Sequence, residues 1–187
     1  MDMFLSRSPG FPTIFCFGND IKNMPENKTV VCHDQYGKLY KVDAARLTFR
    51  PSVYGILIEK NKILLSKQWD GYDFPGGGAE LHETIKDTLK REFWEETGFK
   101  IKPVKIMYAG TSFYYSVDRK QYWNCQLFYF IVKKISGKLS KEGFDEYEKN
   151  YADLAQWIDI KNISHVKFYN SLGGPGSRKL IKQTLKA

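Results

Sequence analysis

The chain has 187 residues, 42% of them hydrophobic and 16% aromatic, with a formal net charge of +8. That length and composition fit one folded domain with a sizeable core and exclude general disorder. No run approaches the roughly 18 apolar residues of a membrane span, and Cys16, Cys32 and Cys125 are too few and too scattered for a disulfide framework or a zinc site.

Asp2, Pro9 and Pro12 interrupt the one apolar stretch near the N-terminus, and no basic leader precedes it. A signal peptide is therefore not expected, which makes the cytoplasm the default compartment. The basic balance attracts polyanions such as nucleotides or RNA, or reflects lysines scattered for solubility. A phosphate-rich small molecule suits it better than nucleic acid, because no aromatic-bearing RNA-binding motif is present.

Residues 1–27 lack periodicity and are punctuated by Pro9, Gly10, Pro12 and Pro25, while Phe11, Phe15 and Phe17 could cover a surface of the main domain or of a partner subunit. Residues 29–33 and 38–42 flank Asp34-Gln35-Tyr36-Gly37 and read as a β-hairpin. The expected division is an N-terminal extension over 1–46, containing this hairpin, and a main domain over 47–187. Residues 52–59 and 63–68 read as strands around a Lys60-Asn61-Lys62 turn. Pro75 and the glycines Gly76, Gly77 and Gly78 are expected to break any strand and to feed a helix of about four turns, stopped at Gly98.

That helix has an unusual face. Ile85, Leu89 and Phe93 recur at helical spacing, but the same face continues into Glu92 and Glu96, where an ordinary amphipathic helix would carry leucine. Glu95 joins them at i+3 from Glu92. Like charges at this spacing repel, and glutamates in a last turn oppose the helix dipole by about 0.3–1 kcal/mol each. A solvated acidic face accounts for neither cost. A divalent cation bridging to a phosphate accounts for both.

Beyond Gly98, residues 104–116 and 122–133 read as a strand pair joined by a charged turn. Residues 137–150 form a polar loop or short helix holding Glu142, Asp145, Glu146 and Glu148; residues 155–160 are a late strand. Gly173-Gly174-Pro175-Gly176 reads as a breaker, followed by a basic helix over 177–186 capped by Ser177.

The run Gly77, Glu83, Arg91, Glu92, Phe93, Glu95, Glu96, Gly98, Phe99 resembles the Nudix box, G-x5-E-x7-R-E-U-x-E-E-x-G-U with U apolar, without a gap. The surrounding layout is similar to the family from about Phe49 to Trp157. The resemblance implies an α/β/α sandwich with a mixed β-sheet and a loop–helix–loop, and a MutT-like hydrolase that cleaves a diphosphate linkage in a nucleoside diphosphate joined to a moiety X. Nucleoside triphosphates and dinucleoside polyphosphates are the favoured substrates. ADP-ribose or nucleotide-sugar cleavage, RNA 5′-end hydrolysis and a non-catalytic nucleotide-binding module are the alternatives.

Carried over residue by residue, the resemblance implies Glu92, Glu95, Glu96 and the Gly77 carbonyl as ligands of Mg2+, with Mn2+ as an alternative. Glu83 would act through the water shell, Arg91 would hold the glutamates by ion pairing, and Glu80 would brace the loop or serve a second metal. Glu95, Glu96, Arg91 and Glu142 are the expected catalytic residues; the base is left between a box glutamate and a later carboxylate, with Glu142 first among the latter and Asp145, Glu146 and Asp153 as competitors. Arg50, Tyr114 and Tyr115 are the expected substrate contacts; strand alternation sends the two tyrosines to opposite faces. No membrane partner is expected, and a homodimer is left open.

Overall fold

The computed structural model describes residues 28–144, 146, 149 and 152–187. Residues 1–27 and Asp145, Glu148 and the other positions between these ranges lie outside the described residues.

Among the described residues, ten strands and two α-helices follow in order: β1 (Thr29–His33), β2 (Leu39–Asp43), β3 (Leu47–Ile56), β4 (Ile58–Glu59), β5 (Lys62–Gln68), β6 (Gly71–Asp73), β7 (Gly76–Gly78), α1 (Ile85–Thr97), β8 (Phe99–Ser116), β9 (Gln121–Gly137), β10 (Ala152–Asp159) and α2 (Gly173–Thr184). They form a six-stranded mixed sheet in the order β2-β1-β8-β9-β3-β7, and a smaller one in which β5 pairs with β10, β4 and β6. The β3–β9 pair is parallel and β8–β9 is antiparallel.

Strand alternation divides the core into two layers. Trp123, Cys125, Leu127 and Tyr129 of β9 face one cluster together with Leu180 and Ile181 of α2. Phe128, Phe130 and Val132 face the other, with Leu89 and Phe93 of α1. In β5, Ile63 and Leu65 go one way and Leu64 the other. The result is an α/β/α arrangement of the expected kind, built on the two-residue period of a strand.

The hairpin over 29–42 forms as expected, with Asp34 closing its turn by accepting from the Tyr36 and Lys38 N–H groups and the Tyr40 hydroxyl. It also adds to the main sheet, where β1 meets β8 in parallel at His33 and Tyr114.

Three expected boundaries are corrected. Gly76–Gly78 is not a strand-breaking loop but a short strand paired with Ser52, Val53 and Tyr54 of β3; without Cβ atoms the glycines fit where the chain passes close to its neighbours. Strand β8 starts at Phe99 rather than 104, because register shifts around Pro103 absorb its missing donor. Helix α2 begins at Gly173 and takes in the whole of the supposed breaker. Asn170, not Ser177, ties down its start: Asn170 Oδ1 accepts from Leu172 N–H at 3.1 Å and from the buried Ser177 hydroxyl at 3.0 Å. Pro175 is tolerated in that first turn because its absent N–H would have no helical partner there. Among the described residues no helix is long and apolar enough to cross a membrane.

Candidate active site

Helix α1 starts at Thr84, whose side chain accepts from Asp87 N–H, and stops at Gly98, whose φ of 74° is the left-handed conformation that glycine adopts without strain. With Leu89 and Phe93 locked in the core, the register of the last turn is set. It carries Glu92, Glu95 and Glu96 to the glycine strand β7.

Arg91 gathers the carboxylates. Its Nε donates to Glu83 Oε1 at 2.7 Å and its Nη2 to Glu83 Oε2 at 2.8 Å, a bidentate fork. Nη1 donates to Glu92 at 3.0 Å and Glu95 at 2.9 Å, while Nη2 also reaches the Gly78 carbonyl at 3.3 Å. The hydrogen bonds that Arg91 donates pull the Glu83 carboxyl down to about 2, and the same bonds push the Arg91 guanidinium still further up. Glu83 is thus an anchor for Arg91 within the described residues.

Glu96 points inward and is 8% exposed. Its Oε2 accepts from the Ser66 hydroxyl at 2.6 Å and from Gly76 N–H at 3.0 Å, which clamps the end of α1 to β5 and β7. Glu92 lies against Gly77 so closely that a Cβ there would stand 2.5 Å from its carboxyl carbon. Around these groups opens a polar cleft of about 520 Å³, lined by the three glutamates, Arg91, Gly76–Gly78, Glu80, Arg50 and Arg119.

The donor set suits a hard divalent cation: three carboxylates and a glycine backbone that approaches one of them without a side chain between. Among the described residues no three acidic, histidine or cysteine side chains stand close enough together to hold a metal ion as they are. Arg91 explains this, since it draws Glu92 and Glu95 toward its own guanidinium. A site of this kind is an open one, with room left in the cleft for waters and phosphate oxygens.

The cleft continues into a second hollow of about 180 Å³, sharing Arg50, Tyr54, Gln68 and Asp73 with the first and adding Tyr114, Trp123 and Asn170. Arg50 lies over the Trp123 ring at 4.3 Å. Tyr114 stacks on the same indole at 6.0 Å between centroids. Asp73 is buried; desolvation lifts its carboxyl to about 7 against the opposing bonds from Asn170 Nδ2 at 2.8 Å and Phe74 N–H. The Ser52 hydroxyl, 1% exposed, lines this hollow and meets no hydrogen-bond partner among the described residues.

The structure therefore brings Gly77, Arg91, Glu92, Glu95, Glu96 and Arg50 to one cleft, and Tyr114 to its extension. It does not bring Tyr115, which turns to the far side and packs on Tyr40 and Tyr122. Nor does it bring Glu142, which is exposed and lines a separate depression with Trp94 and Lys100; Gly143 reaches the cleft instead. Glu146 pairs with Lys149, and Asp153 with Lys141, both at the surface. Ser66, Asp73, Trp123 and Asn170 went unnoticed in the sequence. Only Asp73 carried a signal there, as a carboxylate set among apolar neighbours between Tyr72 and Phe74.

Comparison with known proteins agrees with this geometry. A model of the NUDIX domain matches residues 48–180. The 8-oxo-dGTP diphosphatase of Buchnera aphidicola (subsp. Schizaphis graminum) is 30% identical over 123 residues, 62% of this chain and 82% of that protein. The ADP-ribose pyrophosphatase of Methanocaldococcus jannaschii is 36% identical over 132 residues, 66% of this chain and 70% of that protein. In fold, the chain is similar to an ADP-ribose pyrophosphatase from Streptococcus suis, with a TM-score of 0.55 at 14% identity over 75% of this chain and 94% of the other. It is equally similar to the MutT protein of Bacillus halodurans, with a TM-score of 0.55 at 21% identity over 74% and 83%. Because the family model spans most of the chain and falls on the same strands and helix that build the cleft, the chain belongs to the Nudix family and is a pyrophosphohydrolase.

Proposed function

We propose that the protein hydrolyses a diphosphate linkage in a nucleotide, with nucleoside triphosphates and dinucleoside polyphosphates favoured, at the cleft between α1 and β7. The observation that carries this reading is the continuity of two unlike hollows. One is lined by carboxylates and glycine backbone, the other by Trp123 and Tyr114, and Arg50, Tyr54, Gln68 and Asp73 belong to both. A diphosphate suits the first and a nucleobase the second, where ring stacking and a few convergent polar groups set orientation.

Glu92, Glu95, Glu96 and the Gly77 carbonyl would hold Mg2+, or Mn2+ in its place. A divalent cation held there supplies neutralisation of phosphate charge and alignment of an in-line attack. The side chains do the rest. Arg91 keeps Glu92 and Glu95 oriented. Ser66 and Gly76 fix Glu96. Arg50 and Arg119 bring positive charge to the phosphate path. Glu95, the more exposed of the two glutamates paired with Arg91 at 27% against 14%, accepts the proton of the attacking water as the phosphoanhydride P–O bond breaks. Glu142's position outside the cleft lining supports giving that role to Glu95.

Sequence relatives widen the substrate range to be tested, since they include 8-oxo-dGTP diphosphatases, an ADP-ribose pyrophosphatase and RNA pyrophosphohydrolases that match over 33% of this chain. The test is a panel of nucleoside triphosphates, dinucleoside polyphosphates, ADP-ribose, nucleotide sugars and 5′-triphosphorylated RNA, incubated with Mg2+ and analysed for both products. Cleavage between phosphates is expected for a nucleotide. Binding without cleavage of any of them would replace the hydrolase reading with that of a binding module.

A further inference from the structure

The wall of the aromatic hollow is held from behind by a part of the chain that does not line it. Tyr114 donates its phenol hydrogen to Gln35 Oε1 at 3.1 Å. His33 stands edge-on to the Tyr114 ring at 5.5 Å, and its Nε2 hydrogen-bonds the Ser112 hydroxyl at 3.0 Å. Both residues belong to the β1–β2 hairpin, and the register places His33 directly beside Tyr114. From Tyr114 the contact runs on through the stacked Trp123 to Arg50, whose guanidinium lies so near the β7 backbone that a Cβ on Gly78 would stand 2.7 Å from its Cζ.

The turn that carries Gln35 is itself rigidly built. Asp34 is 4% exposed and takes three hydrogen bonds, from two backbone N–H groups and the Tyr40 hydroxyl. Gly37 N–H closes the turn onto the Asp34 carbonyl at 3.1 Å. A hairpin that only covered a sheet edge would have no need for a side-chain amide aimed at a phenol lining the substrate hollow.

We propose that Gln35 is a positioning residue for substrate: the hairpin sets the tilt of Tyr114, and through Trp123 and Arg50 the width of the slot that receives the base. This rests on the nucleotide reading above and names which part of the chain tunes it. A rotated Tyr114 would leave Trp123 without its stacking partner on one face, so base affinity would fall while the groups that break the phosphoanhydride stay in place. Gln35 is thus expected to act on KM rather than kcat.

The test is a double-mutant cycle with Gln35→Leu and Tyr114→Phe, each of which removes one side of the same hydrogen bond and keeps the side-chain bulk. Steady-state kinetics are measured on the nucleotide that the unmodified protein cleaves best, with thermal unfolding in parallel. Gln35→Leu should raise KM by about threefold to tenfold, the range expected for losing one hydrogen bond, with kcat within about twofold. The double variant should be no worse than the more impaired single one. Gln35→Asn or Gln35→Glu, which retain an acceptor, should recover part of the loss.

Unchanged KM in Gln35→Leu overturns the inference, and so do effects of the two substitutions that simply multiply. A fall in kcat matched only by a fall in unfolding temperature overturns it too, since that is a structural role. Failure of the underlying reading looks different: the unmodified protein itself would cleave no nucleotide.

Discussion

Arg91 and Glu83 face each other eight residues apart in the chain through two parallel hydrogen bonds of 2.7 and 2.8 Å. With one edge of the guanidinium so engaged, the other donor, Nη1, is aimed at Glu92 and Glu95. A planar fork with five donors can do this and an ammonium cannot. The pair therefore converts a flexible basic side chain into a fixed bracket for the last turn of α1.

Replacing Arg91 by Lys keeps the charge and loses the fork. Stability should fall by on the order of 1–3 kcal/mol, less than for a fully buried pair because the Arg91 side chain is 28% exposed. Turnover should fall more, with kcat/KM down by about 10–100-fold, as is usual when the support of a ligand set is removed. Thermal unfolding and steady-state kinetics on the same preparation separate the two effects.

Acid should act on the same pair. The Glu83 carboxyl is held down at about 2, below its value in the unfolded chain. Its contribution to stability is therefore complete above the unfolded pKa, near 4.3, and is lost as pH falls toward the folded value. Glu83→Gln should be less stable than the parent near neutrality, and the gap should close between about pH 5 and pH 2. A gap that stays constant on acid titration would mean that the Glu83–Arg91 pair does not carry this charge-dependent stability.

Asp73 should respond in the opposite direction. Burial raises its carboxyl to about 7, so the folded protein holds this proton more tightly than the unfolded chain does. Stability from the neutral form is present below the unfolded pKa, near 3.9, and is lost as pH rises toward 7. Asn170 and the Phe74 N–H both donate to Oδ1, an atom that asparagine retains. Asp73→Asn should therefore gain stability relative to the parent as pH is raised from 4 to 8, measured by denaturant midpoint at each pH.

Glu96→Gln should leave the fold in place, because an amide oxygen can still accept from Ser66 and Gly76. Cleavage should nevertheless fall by about a hundredfold or more, since the change removes one negative charge from the carboxylate set. Product release assayed across a Mg2+ titration, with circular dichroism as the control for folding, checks both halves. Turnover equal to that of the parent would remove Glu96 from the proposed metal set.

Gly98→Ala tests the end of the helix rather than its chemistry. The residue sits at φ 74°, and an added Cβ would stand 2.9 Å from the Ser140 Cβ and closer still to the Lys138 carbonyl. A left-handed alanine alone costs about 1–2 kcal/mol, so a larger loss in chemical denaturation is expected once the clash is added.

Much of this protein was legible in local sequence. The helix over Ile85–Thr97 announced itself by its apolar period and its Gly98 stop, signals that act within a few residues of chain, whereas its Thr84 cap came to light only in the structure. The existence of the hairpin was likewise readable, though its second strand runs Leu39–Asp43 rather than 38–42, and so was the chemistry of the glutamate cluster, because side chains at i, i+3 and i+4 on a helix must meet. The family resemblance then supplied the reaction. Position in the fold was harder to foresee. The three glycines pair as a strand because β3 happens to run beside them. Asn170 accepts from the Ser177 hydroxyl of α2 and bonds Asp73, 97 residues away, only once the chain is folded. Tyr114 and Tyr115 are adjacent in sequence and lie on opposite faces, and which face meets Trp123 is settled by the β8–β9 register. Sequence alone determined the type of chemistry, since that depends on neighbours along one helix. Tertiary structure alone decided what encloses the substrate, because a pocket wall is made of residues that only packing brings together.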